Sequence, residues 1–120
     1  MNTRCSPRDL VIDLLNRSSC KVKVAAVLSD KRGIFAWGWN SSGQDGNGMH
    51  AEEHAFYRAN RKRLHGATLT VASIRVGRGA FICSRPCATR CMKLANKFKI
   101  GHIEYITHGG SWQVIEPSLC

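Results

Sequence analysis

Hydrophobic and polar positions along this chain switch between two rhythms. Leu10, Val11, Leu14 and Leu15 recur at helical spacing behind Ser6-Pro7-Arg8-Asp9. There Ser6 can cap, Pro7 takes the first helical position and Asp9 can return a bond. A first helix is expected, ending near Arg17-Ser18. Val22, Val24, Ala26 and Leu28 then alternate as a strand does, and Ile34 to Trp39 runs back after the Ser29–Gly33 turn, which predicts a hairpin. A loop rich in Ser, Gly and Asn, Ser41 to Gly48, leads into a helix from His50 to about Leu64. Its Ala51, Ala55 and Ala59 suit close packing on a sheet, and Gly66 is a natural stop. Thr68 to Ile74 is β-branched and apolar, hence a third strand. After the basic loop Arg75–Gly79, Pro86 opens a helix running to about Lys99, on which Met92, Ala95 and Phe98 share a face. His102 to Thr107 and Trp112 to Glu116 are strands four and five, joined by the turn His108–Ser111.

Helices that alternate with strands in this order make an α/β fold, a three-layer α/β/α sandwich around a five-stranded mixed sheet. The last connection is too short for a crossover, so strands four and five should be antiparallel neighbours. The 120 residues fit one domain, 1–120, large enough to bury a core without disulfide staples.

Composition narrows the function classes. No apolar run approaches the length of a membrane span, and the N-terminal segment is charged and amphipathic, not an apolar signal core. A cytoplasmic, non-membrane protein is the expectation. Of six cysteines, Cys83, Cys87 and Cys91 crowd beside a proline while Cys5, Cys20 and Cys120 are scattered. Clustering without an export signal favours a metal site over a disulfide framework. Eighteen Lys and Arg against eight Asp and Glu give a net charge of +10, a potential that attracts polyanions. Charge of this kind speaks about partners and is silent about chemistry.

The chemistry lies in two segments, His50-Ala51-Glu52 and Pro86-Cys87-Ala88-Thr89-Arg90-Cys91, each at the start of an expected helix. One imidazole and two thiolates suit zinc, and three protein ligands leave a fourth position for water. A helix N-terminus favours thiolate over thiol, and Cys87 and Cys91, four apart, would share one helix face. Glu52 is displaced around its helix from His50, so it can serve as a proton carrier to the water and the reacting base in place of acting as a ligand. Cys83 is an alternative ligand. A closed structural site of His50, Cys83, Cys87 and Cys91 would abolish catalysis. His54 and Glu53 read as a packed and a solvated helix residue, Trp37 as core, and Trp112 as core or sheet edge. Phe81 is a candidate pocket wall.

His-Ala-Glu followed by Pro-Cys-x-x-x-Cys resembles the zinc-binding signature of the cytidine deaminase-like superfamily. The order of elements is similar to that fold over nearly the whole chain. Gly38-Trp39-Asn40 is similar to the strand end of the tRNA adenosine deaminases and their relatives, where the asparagine contacts the target nucleoside. The resemblance implies zinc on His50, Cys87 and Cys91, catalysis by Glu52 and a nucleoside contact from Asn40; Trp39, beside Asn40, is a candidate to stack on a base, and Ala51, Arg85 and Pro86 are further expected substrate contacts. The three-residue gap between the cysteines departs from the commoner Cys-x-x-Cys; longer gaps occur in the polynucleotide cytidine deaminases of vertebrates. The absence of a helix between strands four and five resembles free-cytidine and phage- or toxin-type deaminases.

The expected reaction is hydrolysis of cytosine to uracil in a polynucleotide, single-stranded DNA being favoured and RNA or duplex being alternatives. Arg75, Arg78 and Arg90, near the loop leading to the cysteines, are expected to meet phosphates. Arg58, Arg61, Lys62 and Arg63 form either a second phosphate-tracking face or a solvated helix end. Alternatives are a deaminase of free (deoxy)cytidine or its monophosphate, or of adenine, and a zinc-stabilised nucleic-acid-binding module without catalysis. Oligomeric state is not legible.

Overall fold

The computed structural model describes residues 6–42, 48–77 and 80–117. Its elements follow the expected order. Helix α1 (Pro7–Leu14) continues into a 3₁₀ turn (Leu15–Arg17), then strands β1 (Val22–Asp30) and β2 (Gly33–Trp39) form the hairpin. Helices α2 (Ala51–Arg58) and α3 (Arg61–Leu64) precede β3 (Thr68–Arg75), and α4 (Cys91–Lys97) precedes β4 (His102–Ile106) and β5 (Trp112–Ile115). Ser6 caps α1 by accepting from the Asp9 N–H at 3.1 Å.

One five-stranded sheet runs β2-β1-β3-β4-β5. The β3–β4 pair is parallel and the others are antiparallel, including β4 with β5. The mixed sheet and the antiparallel final pair are as expected. Period-two alternation gives the sheet two apolar faces. Ala26, Leu28, Leu69, Val71 and Ile103 point to the side of α2 and α4, against Ala55, Phe56, Met92 and Ala95. Ala25, Val27, Ala72 and Ile106 point to the other side, against Val11, Leu14 and Leu15 of α1. This is the three-layer sandwich. The visible alternation of Val22, Val24, Ala26 and Leu28 is one face of a central strand whose other face is equally buried.

Two expected helices differ. The segment from His50 to Leu64 is broken at Ala59, whose backbone is extended. Asn60 restarts the helix by accepting from the Lys62 N–H at 3.0 Å, a side chain competing with the backbone ladder. The second helix begins at Cys91, not Pro86. Arg90 sits at φ −126° and ψ −61°, outside helical geometry, and the segment from Pro86 forms a turn before the helix. Trp37, expected in the core, is 37% exposed on the edge strand, with the Arg58 guanidinium 5.3 Å from its ring.

Candidate metal centre and cleft

The site is held by close approach of α2 to the sheet. A Cβ on Gly38 would stand 2.6 Å from the Ala55 nitrogen and 2.8 Å from the Ala51 oxygen, so only a glycine admits the helix here. Ser41 and Met49 exchange both backbone hydrogen bonds at 3.0 Å and return the chain to His50 at the mouth of α2. On the opposite side, Ser84 fastens the cysteine-bearing loop to the sheet. Its hydroxyl lies 2.9 Å from the Val71 carbonyl and 3.0 Å from the Ile106 carbonyl, and it accepts from the Ile106 N–H at 2.9 Å.

These anchors bring His50, Cys87 and Cys91 together, their ligand atoms all within 4.8 Å of one another. His50 presents Nδ1 to both sulfurs, 3.3 Å from Cys91 Sγ and 3.7 Å from Cys87 Sγ. Cys87 is not on the helix. The turn after Pro86 folds its sulfur back to accept from the Cys91 N–H at 3.4 Å. Burial raises the Cys87 thiol, but the N–H groups of Cys91 and Arg90 outweigh it, and its pKa falls below the ordinary value. Cys91 goes the other way: burial, then the charges of Glu52 and Cys87, push its pKa up. Cys83 is exposed and stays outside this group. No disulfide forms among the described cysteines.

Glu52 is 5% exposed, and burial raises its carboxyl to about 7. Glu53, expected to be solvated, is buried. Its Oε1 accepts from the His50 N–H at 3.0 Å, and its two oxygens take Arg90 Nη2 at 2.6 Å and Nε at 3.2 Å. This fork draws the cysteine loop onto the start of α2. Arg90, expected to meet phosphate, is thus also a tie within the site, its guanidinium half exposed beyond the pair with Glu53.

A cleft of about 280 Å³ opens beside the ligands. Of the expected substrate residues, Asn40, Ala51 and Arg85 line it. Asn40 is already engaged. Its Oδ1 accepts from Ser18 Oγ at 2.6 Å and the Val24 N–H at 2.9 Å, and its Nδ2 donates to the Val22 carbonyl at 2.8 Å. Pro86 is buried behind the loop. Trp39 does not line the cleft. Strand alternation turns it to the α1 face, where it packs on the Val11–Leu14 cluster, and at the sheet edge its ring also meets that of His54 from α2 edge-on at 4.8 Å. The substrate contact expected of Trp39 thus has no counterpart in the lining of this cleft. Phe81 and Arg75 line a different cavity, and Arg78 lies outside the described residues. Sequence reasoning missed Val22, Val24, Ser73, Ile82 and Ser84 as cleft residues. Nothing local marks them, because they converge from three separate segments.

The donor set suits zinc. Two sulfurs and an imidazole nitrogen lie within 4.8 Å of one another, with the buried carboxyl of Glu52 beside Cys91. Burial first, and then the neighbouring Glu52 and Cys87, raise the pKa of Cys91. An α/β scaffold carrying three such donors defines a candidate zinc protein with a coordination position left for water or substrate.

Residues 8–107 match the family described as the cytidine and deoxycytidylate deaminase zinc-binding region, and the chain belongs to that family, with zinc as its cofactor. The fold is similar to several solved structures. Cytidine deaminase from Burkholderia pseudomallei superposes with a TM-score of 0.72 at 17% identity, covering 93% of this chain and 91% of that one. Cytidine deaminase from Mycobacterium leprae gives 0.62 at 18% identity, with the same coverages of 93% and 91%. RibD from Acinetobacter baumannii gives 0.59 at 19% identity, covering 84% of this chain but 27% of that longer one. No curated protein matches the chain significantly in sequence. Among the described residues no helix is long and apolar enough to cross a membrane.

Proposed function

We propose that the chain, acting as one deaminase domain, hydrolyses cytosine to uracil in a nucleic-acid strand, single-stranded DNA before RNA. The carrying observation is a nucleoside-sized cleft, about 280 Å³, that meets a His/Cys/Cys group and a buried Glu52 on a chain of net charge +10. His50, Cys87 and Cys91 would hold the zinc, which supplies Lewis acidity that lowers the pKa of a water. Glu52 is the proton carrier. With a pKa near 7 its carboxyl can accept a proton at neutral pH and return it to the ring nitrogen and the departing amine. The water oxygen ends on C4 and the amine leaves as ammonia. Glu52 lines the cleft, so the proton can pass between its carboxyl and a bound base. Asn40 fixes the cleft wall by tying β2 to β1, and its remaining Nδ2 hydrogen is a donor for the nucleoside. Arg85 and Arg75 supply positive potential beside the opening.

A second reading, turnover of free cytidine, deoxycytidine or its monophosphate, is favoured by the likeness to cytidine deaminases over more than nine-tenths of both chains. The test offers zinc-loaded protein a mixed-sequence single-stranded DNA, its duplex, a matching RNA and a nucleoside and nucleotide pool. Mass spectrometry scores uracil and inosine, with Glu52→Ala as control. Uracil in a polymer is expected; turnover confined to the free pool overturns the polynucleotide reading in favour of the second.

A further inference from the structure

At the end of the sheet away from the metal ligands, a second cavity of about 580 Å³ opens between the β1–β2 turn and the connection from α3 to β3. Lys31, Arg32, Lys62, Arg63 and His65 line it against a single carboxylate, Asp30. Arg63 takes up that carboxylate, with Nη2 at 2.6 Å and Nε at 2.7 Å. Lys31 and Lys62 are exposed and make no ion pair among the described residues. With Arg32 they leave an excess of three cations around one concavity. Packing does not require this, since like charges held close repel one another.

The cavity is also aligned with the cleft. Val22 and Val24 of β1 line the cleft, while Ser29 and Asp30 line the cavity. At 3.3 Å per strand residue, the two are about 17–26 Å apart. Helix α2 begins at the cleft, and α3 after it ends at the cavity. Between them α2 and α3 expose Tyr57, at 64%, together with Arg58 and Arg61. An exposed aromatic among cations is the surface that a single strand uses, bases stacking while phosphates follow the charge.

We propose that this cavity seats the phosphate backbone of the nucleic-acid strand whose base enters the cleft, the strand crossing α2 and α3 past Tyr57 and Arg61. The proposal rests on the polynucleotide reading and extends it to a second anchor remote from the chemistry. It makes affinity depend on strand length, because a free nucleotide cannot reach both places.

The test separates binding from turnover. In the Glu52→Ala background, Lys31→Glu, Arg32→Glu and Lys62→Glu are combined, with the triple Gln variant as a milder form. Circular dichroism checks the fold of each. Fluorescence anisotropy reads a fluorescein-labelled mixed-sequence single-stranded DNA of about 25 nucleotides, long enough to span both places, across a salt series. The expected result is a Kd at least about tenfold weaker, with the salt slope reduced by about 2 for three lost phosphate contacts. A Kd and slope within twofold of the parent would overturn the cavity's role, and the polynucleotide reading would survive if the wild-type protein still deaminates the strand. A parent that binds no strand at low salt overturns both. Wild-type turnover confined to free nucleosides overturns the polynucleotide reading, whatever the binding assay shows.

Discussion

Replacing Gly38 by alanine tests whether the close seating of α2 on the sheet builds the metal centre. The added Cβ would lie 2.6 Å from the Ala55 nitrogen, 2.7 Å from His54 Cβ and 2.8 Å from the Ala51 oxygen, where ordinary contact begins at 3.4 Å. Two of these neighbours are helix backbone, so no flexible side chain can swing aside. The helix must retreat by about 0.8 Å. Overpacking of this kind costs about 1–3 kcal/mol. For a chain of this length each kcal/mol lowers Tm by roughly 3–6 °C. The same retreat carries His50 and Glu52 away from Cys87 and Cys91, so zinc affinity should fall in parallel. Thermal melting with and without zinc, and competition against a chelator, measure the two effects. Gly66→Ala is the control. It has φ +80° and open space around the new Cβ, so it should cost about 1–2 kcal/mol of backbone strain and leave zinc affinity unchanged. A Gly38→Ala protein that melts within a degree of wild type and holds zinc equally well would refute the reasoning.

Further expectations follow from the same geometry. Ser84→Ala leaves the Ile106 N–H without its partner in a buried setting and should cost about 1–3 kcal/mol in urea unfolding; no change in midpoint would mean that the loop anchors itself otherwise. Arg90→Gln releases the fork on Glu53 and should weaken zinc binding about 10–100-fold with little change in fold, read by chelator competition; equal affinity would discard the tie. Glu52→Ala should abolish deamination while bound zinc, measured by elemental analysis, persists; residual turnover near wild type would remove Glu52 from the mechanism. Asp30, held down to about 2 by Arg63, has a depressed folded pKa. Its stabilising contribution is therefore complete above the ordinary carboxylate range near 4 and is lost as pH falls toward 2. Asp30→Asn should flatten the stability profile in that window, and identical acid unfolding curves would contradict the pairing.

Much of this protein is legible before it folds. Alternation located β1, a hairpin turn located β2 and a β-branched apolar run located β3, because strands buried in a sheet favour such side chains whichever face they meet. Ser6, Pro7 and Asp9 marked α1, since capping is local chemistry. His50, Glu52, Cys87 and Cys91 were legible for a similar reason: soft ligands and a carboxylate at short spacing near expected helix starts have few other uses. Tertiary structure decided the rest. Pro86 promised a helix, but the loop pinned by Ser84 spends its first residues as a turn, and Cys87 reaches the site from outside α4. Glu53 and Arg90 looked like solvated or phosphate-facing charges until the fold placed them 2.6 Å apart. Trp39 stood beside Asn40 in sequence, yet the pleat sent it to the opposite face. Residues that act through neighbours distant in the chain, such as Ser84 with Ile106 or Ser18 with Asn40, leave no local pattern. Their roles exist only once the sheet order β2-β1-β3-β4-β5 brings their segments together.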